Sequence, residues 1–229
     1  GSASVGVAGA LALNLVDRVS TARISAGAVV NLGIGLVTIA ADDRMAATAE
    51  ALPTVDSDTL GIGASVASNQ LTSATLAEIA DGVALINGKN LAVSATSALS
   101  SAAHAKAGAA GGVAIDAVLA LATLDHRTIA RIGTGAGLDM TGAINIAAAS
   151  GGANIAIANG ENESGKVGVG AAAALILGGG DLASTAFTSA EMARNVKAAG
   201  LDITSSSEFD YTANATATAS GGKFNDSDP

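Results

Sequence analysis

The segment Gly160–Val167, with the sequence GENESGKV, comes close to the GxxxxGK[S/T] pattern of phosphate-binding loops. In that pattern backbone N–H groups cradle the phosphates, and the last residue offers a hydroxyl to Mg²⁺. Val167 has no hydroxyl, Glu161 and Glu163 would repel a phosphate, and no crossover helix is indicated after the segment. We therefore interpret it as a plain turn between strands.

Acidic pairs could supply the clustered oxygen ligands that Ca²⁺ prefers. They occur at Asp42 and Asp43, at Asp56 and Asp58, and at Asp226 and Asp228. The calcium-binding repeat GGxGxD is absent, and Gly178–Asp181 is only a fragment of it. We predict solvated turns at these positions, with a weak calcium site as the alternative.

The two histidines, His104 and His126, have no carboxylate or second histidine at metal-ligand spacing, and we expect both at exposed strand positions. No serine lies in a GxSxG nucleophile elbow. Catalytic carboxylates could still converge from distant segments, which leaves that alternative open. The sequence predicts no catalytic, cofactor-binding or metal-ligating residue, and a protein that is not an enzyme.

The composition restricts the possible partners. The 229 residues include 11 basic and 20 acidic ones. The resulting net charge of −9 is opposite in sign to the basic surface with which proteins bind nucleic acids. The absence of cysteine removes disulfides, thiolate metal sites and thiol nucleophiles. Apolar stretches such as Val167–Leu177 are shorter than the roughly 18 residues that a membrane span requires. We expect neither nucleic-acid partners nor membrane insertion.

An internal repeat is the strongest pattern in the chain. About four copies recur with a period of roughly 53 to 57 residues. A weaker half-period makes a structural unit of roughly 27 residues our preferred interpretation, with one large unit per full period as the alternative. The matching positions are Ala22, Ala77 and Ala130; Ile24, Ile79 and Ile132; and Gly27, Gly82 and Gly135.

Alternation of apolar and polar residues favours strands over helices in these copies. With only 2% aromatic residues, the core must consist of small aliphatic side chains. The alanine and isoleucine columns should point inward, and Arg23, Glu78 and Arg131 should lie outside, on one face. The sequence thus predicts an all-β fold, a parallel β-solenoid.

One segment departs from the strand pattern. Thr188–Glu191 resembles a helix capping box, Met192 and Val196 follow at helical spacing, and Gly200 is a stop signal. We expect a short inserted helix near residues 189–199. Residues 1–2 are typical of an expression scar, residues 3–220 are predicted to form the single solenoid, and residues 221–229 a disordered tail or linker.

The motifs Ala-x-Ile-x-x-Gly, Leu/Val-x-Ile-x-Ala and Gly-Val-x-x-Ala-x-Ala-Leu resemble the repeats of filamentous-haemagglutinin-like bacterial surface adhesins. The resemblance runs from Val5 to about Ala219. It implies a right-handed parallel β-helix that serves as a structural stalk or adhesive shaft of a large exported protein, secreted or at the cell surface. Its implied partners are neighbouring repeats of a longer parent chain and surface glycans or proteins. A β-helix polysaccharide lyase or hydrolase and an ice-binding solenoid are the alternatives.

Overall fold

The computed structural model describes residues 4–178 and 186–221. Within those residues the fold is all-β, with parallel strands and no helix. The strands are β1 Val5–Ile24, β2 Val29–Asn31, β3 Leu36–Ala51, β4 Thr54–Asp56, β5 Leu60–Ile79, β6 Ala84–Ile86, β7 Asn90–Ile132, β8 Leu138–Asp139, β9 Ala143–Gly178, β10 Phe187–Met192, β11 Val196–Lys197 and β12 Gly200–Ser220.

The long strands form two ladders, each made of parallel strands. Strands β7 and β9 are long enough to take part in both, with the first half of each strand in one ladder and the second half in the other. Ladder A contains β1, β5, the second half of β7, the second half of β9, and β10. Ladder B contains β3, the first half of β7, the first half of β9, and β12. Shorter pairs, β2 with β6 and β8 with β11, lie in the connections between ladders.

The register fixes the size of the repeating unit. In ladder A, Val5 pairs with Leu60 and Leu60 with Val113, so successive partners stand one full sequence period apart. Ladder B has the same spacing, because Leu91 pairs with Ile144 and Ile144 with Leu201. The preferred unit of half a period is therefore wrong, because a chain segment hydrogen-bonds to its counterpart one full period away.

The two ladders face each other at very short range over part of their length. The Ser65 hydroxyl donates a 2.7 Å hydrogen bond to the Ala51 carbonyl, and the Asn69 amide donates a 2.8 Å bond to the Ala47 carbonyl. A serine side chain that reaches the opposite backbone leaves room only for small neighbours. The core at this place is accordingly a cluster dominated by alanine, including Ala67, Ala103, Ala120 and Ala156.

Larger side chains fill the interior at the other end of the ladders. Ile79 and Ile132 are fully buried there, and Ile24 packs against them from the first strand. Ala77 and Ala130 are also fully buried, with Ala22 packed against the same cluster. Both predicted inward columns are therefore confirmed. A third cluster, around Leu71, Leu99 and Leu124, lies between the isoleucine region and the alanine region.

The helix expected near residues 189–199 is wrong. Residues Phe187–Met192 form β10 and pair in parallel with Arg127–Ile132. Ala190 therefore continues the alanine column and Met192 the isoleucine column, and both pack against the buried cluster. Ladder hydrogen bonds and burial outweigh a local capping pattern, which is worth about 1 kcal/mol. The scar at residues 1–2 and the tail beyond Gly221 lie outside the described residues.

Candidate functional site

A row of alternating charges runs along the outer side of ladder A. Arg23 pairs in register with Glu78, and Glu78 with Arg131. The Glu78 carboxylate lies 2.8 Å from Nε of Arg23 and 2.8 Å from Nε of Arg131. Arg131 also lies 3.3 Å from Asp81, and Glu191 occupies the next position in the row. In this row, Arg23–Glu78–Arg131–Glu191, ion pairs join the first three strands.

Glu78 departs from the sequence expectation. The three residues share one outer face as predicted, but the Glu78 side chain is only 8% exposed, whereas those of Arg23 and Arg131 are 49% and 34% exposed. The two long arginine side chains cover the shorter glutamate between them. Glu78 is thus engaged by arginines from the strands on both sides, an arrangement typical of a structural ion pair.

A second set of polar side chains lies between the ladders. Nε of Arg18 lies 2.9 Å from the fully buried Asp43 carboxylate, and the Ser73 hydroxyl donates a 2.5 Å hydrogen bond to the same carboxylate. The following repeats continue this polar column at the same level. Asp43 is followed in ladder B by Ser97, Ser150 and Ser207, and Ser73 in ladder A by His126.

His126 and Ser150 form the only part of this polar column that resembles catalytic machinery within the described residues. Nε2 of His126 lies 3.3 Å from Oγ of Ser150, the arrangement of a general base beside a nucleophile. Ser150 also hydrogen-bonds to Thr188 at 2.5 Å and to Ser207 at 3.0 Å. Both partners of the pair are buried, and burial lowers the pKa of His126 despite the neighbouring Asp125. Ser150 also lines a surface groove of ladder B, and the contacts of the pair satisfy polar groups between the ladders.

The expectation that His126 is exposed is wrong, and the sequence held a signal for its burial. His126 lies four and six residues before Ala130 and Ile132, which were both predicted to point inward. Because side chains alternate between the two sides of a strand, His126 points inward as well. The same argument applies to Asp43, which follows Ile39 and Ala41 at intervals of two. Asp42 and Asp43 lie in β3 rather than in a solvated turn, and Asp42 is exposed while Asp43 is buried.

The remaining predicted positions are at the surface or inside regular structure. Asp56 and Asp58 are exposed, in β4 and in the bend after it, while Asp226, Asp228 and most of Gly178–Asp181 lie outside the described residues. His104 is partly exposed, 3.7 Å from Glu50. The expected turn at Gly160–Val167 is instead part of β9, where the pairing register shifts near Gly165. Lys106 forms a 3.0 Å ion pair with Glu161 there.

A shallow groove of about 730 Å³ lies on ladder B. Its walls include Glu208 and Asp210 from β12, together with Ser206 and the backbone around Gly151 and Gly152. No lysine or arginine lines this groove among the described residues. An acidic groove of this kind suits a neutral or cationic ligand better than an acidic polysaccharide.

Metal-ligand clusters, membrane-spanning helices and similar proteins point to no further site. Across residues 4–178 and 186–221, no three His, Asp or Glu side chains converge as a metal site would require. The described part of the chain holds no helix long and apolar enough to cross a membrane. No protein family, curated protein or solved structure matches this chain.

Proposed function

We propose that this chain is a segment of a right-handed parallel β-solenoid that serves as the structural stalk or adhesive shaft of a large exported bacterial protein, similar to filamentous haemagglutinin. The observation that carries the proposal is the parallel register at one-period spacing in both ladders. In such an array each repeat satisfies the backbone of the next, so that length grows with the number of repeats.

Two features of the interior support a mechanical role. Columns of like residues, such as Ile24, Ile79 and Ile132, recur at every repeat, so each interface between repeats resembles the previous one. The row from Arg23 to Arg131 adds an ion pair at each step. Load along the array would therefore be distributed over many similar contacts rather than concentrated at one weak joint.

A deletion of one whole period tests the architecture. Because Leu91 pairs with Ile144, removing residues 91–143 places Ile144 where Leu91 was and leaves both ladders in register. We expect a cooperatively folded protein that is shorter by about 4.8 Å along the stacking axis, measurable by small-angle X-ray scattering. The matched control removes residues 91–117, about half a period, and should unfold because ladder A residues replace ladder B residues. A half-period deletion that folds as well as the full one would contradict the proposal.

The adhesive part of the proposal needs a separate assay. We expect the purified protein to bind a subset of an immobilised glycan and surface-protein panel without altering the ligand. Release of oligosaccharide products, followed by mass spectrometry, would instead identify an enzyme. A protein that neither binds nor cleaves would be a pure spacer and would remove the adhesive function from the proposal.

A polysaccharide hydrolase is the second candidate, favoured by the two carboxylates in the ladder B groove. Glu208 and Asp210 line the same depression, as a glycosidase acid and its partner would. Substitution of both residues, Glu208→Gln with Asp210→Asn, should abolish any hydrolysis while leaving glycan binding by other surfaces intact. An ice-binding role has less support, because Thr216 and Thr218 are paired with Asn159 and Glu161 rather than with further threonines.

A further inference from the structure

The outer side of ladder A carries an apolar surface that neither the stalk function nor the candidate groove uses. It consists of the outward-pointing side chains of residues 5–15, 60–70, 113–123 and 167–177, which we call the aliphatic face. None of these outward positions is charged, and most are Val, Leu, Ile or Ala. Leu11 is 74% exposed, and Leu119, in the middle of the array, is still 40% exposed.

The outer side of ladder B has a different character. Its outward positions include Asp42, Arg44, Glu50 and Lys106, and their apolar members are mainly alanine. Charged residues are therefore available on this fold and are confined to other surfaces. A contiguous aliphatic surface on a chain of net charge −9 is a mark of an interaction site.

The relief of the aliphatic face is complementary to itself. Gly9, Ala64, Ala117 and Ala171 stack in register and form a shallow furrow along the stacking direction. A cavity of about 260 Å³ marks this furrow between Ala64, Ala117 and Ala171. Beside it, two residues earlier in each strand, stands a ridge made of Val7, Ile62, Ile115 and Val169. A two-fold axis beside the furrow would place each copy's ridge in the furrow of the other.

The size of the aliphatic face also fits a dimer. Ten residue steps of about 3.3 Å make it about 33 Å long, and four strands spaced by about 4.8 Å make it about 20 Å wide with side chains. One copy would bury about 700 Å², and the pair about 1,400 Å², within the usual range for a specific protein interface.

We propose that the aliphatic face is the interface of a homodimer, in which a second copy of this chain packs the same face against it with ridges in furrows. A second copy is the favoured occupant, because the ridge and the furrow are complementary to each other and the area of the face is that of a specific interface. The proposal is independent of the stalk function, since either a single or a paired array could act as a shaft.

Sedimentation of the full chain across a dilution series tests the dimer. We expect a mass of twice 21.7 kDa at high concentration and dissociation on dilution. Ile115→Lys places a charge on the ridge and should weaken dimerisation about 30-fold or more. Ala117→Leu fills the furrow without adding charge and should also weaken it. The matched control, Thr96→Lys, places the same charge on the outer side of ladder B and should leave dimerisation unchanged.

Two further measurements separate the dimer from other interpretations. Added salt should strengthen the dimer by screening the repulsion between two acidic chains, whereas association through ion pairs would weaken. A flotation assay with neutral phosphatidylcholine vesicles should show no binding. Circular dichroism of each variant verifies that its fold is intact, and if Ile115→Lys unfolds, Ala117→Leu carries the test alone. A wild-type monomer at every concentration, an Ala117→Leu dimer as tight as the wild type, or vesicle binding retained by Ala117→Leu would overturn the proposal.

Discussion

Replacing Glu78 with glutamine should destabilise this protein far more than a surface charge normally does. The substitution keeps the shape of the side chain but removes the charge that faces Arg23 and Arg131, each with its Nε 2.8 Å away. Breaking a fully buried ion pair costs about 3–5 kcal/mol. The two arginines are 49% and 34% exposed and can be partly resolvated, and Arg131 keeps Asp81, so we expect about 2–3 kcal/mol.

Thermal unfolding followed by far-ultraviolet circular dichroism measures this loss. For a chain of this length, about 2–3 kcal/mol corresponds to a melting temperature lower by about 5–10 °C. The control is Glu50→Gln, whose exposed carboxylate lies 3.7 Å from His104 and whose loss should cost less than about 0.5 kcal/mol. If both variants lose the same small amount of stability, Glu78 is solvated in solution and its ion pairs with the two arginines are not the stabilising feature that we infer.

Three other substitutions test the interior. Burial lowers the pKa of His126, so the unfolded chain binds a proton more readily than the folded one. The melting temperature should therefore fall as the pH drops through about 6.5. Melting curves of His126→Asn should lose this pH dependence. Burial raises the pKa of Asp116 above 3.8, so the wild type should lose stability as the pH rises through that value. Because Asp116→Asn removes the buried carboxyl group, this variant should melt at a higher temperature than the wild type at neutral pH. Gly152→Ala should cost about 3 kcal/mol or more in urea unfolding, because φ is +152° and the new Cβ would collide with the Leu99 carbonyl. Gly35→Ala, with nothing within 4 Å of its Cβ, should stay within about 0.5 kcal/mol of the wild type. An unchanged stability of Gly152→Ala would show that the ladder register at Leu99 is different.

The sequence repeat predicted the columns of ladder A well, because in-register parallel pairing requires like residues at a constant spacing. Ala77 over Ala130 and Ile79 over Ile132 follow directly from that spacing. The fourth position of each column was missed because Ala190 and Met192 stand more than one regular period after their partners, in a segment whose local pattern favours a helix. Propensity acts over a short stretch of chain, whereas the pairing that overrides it comes from a distant strand.

The candidate site was less accessible to sequence reasoning. The contacts of His126 with Ser150 and of Ser73 with Asp43 join residues 24 and 30 positions apart in facing ladders. The alternation of inward and outward side chains along each strand could have placed His126, Asp43 and Ser150 in the interior. It could not indicate which of them meet, because that depends on how the chain folds back between the ladders.

The sequence by itself determined the all-β class, the period of the repeat and the inward direction of the isoleucine columns, since alternation and recurrence are properties of the chain alone. Only the tertiary structure decided which side chains point inward at the beginning of the strands of ladder A. There the alanines Ala10 and Ala12 point inward, and the larger Leu11 and Leu13 point outward. Hydrophobicity alone would favour the reverse. The reason is steric, because ladders close enough for Ser65 to reach the Ala51 carbonyl leave no volume for leucine between them.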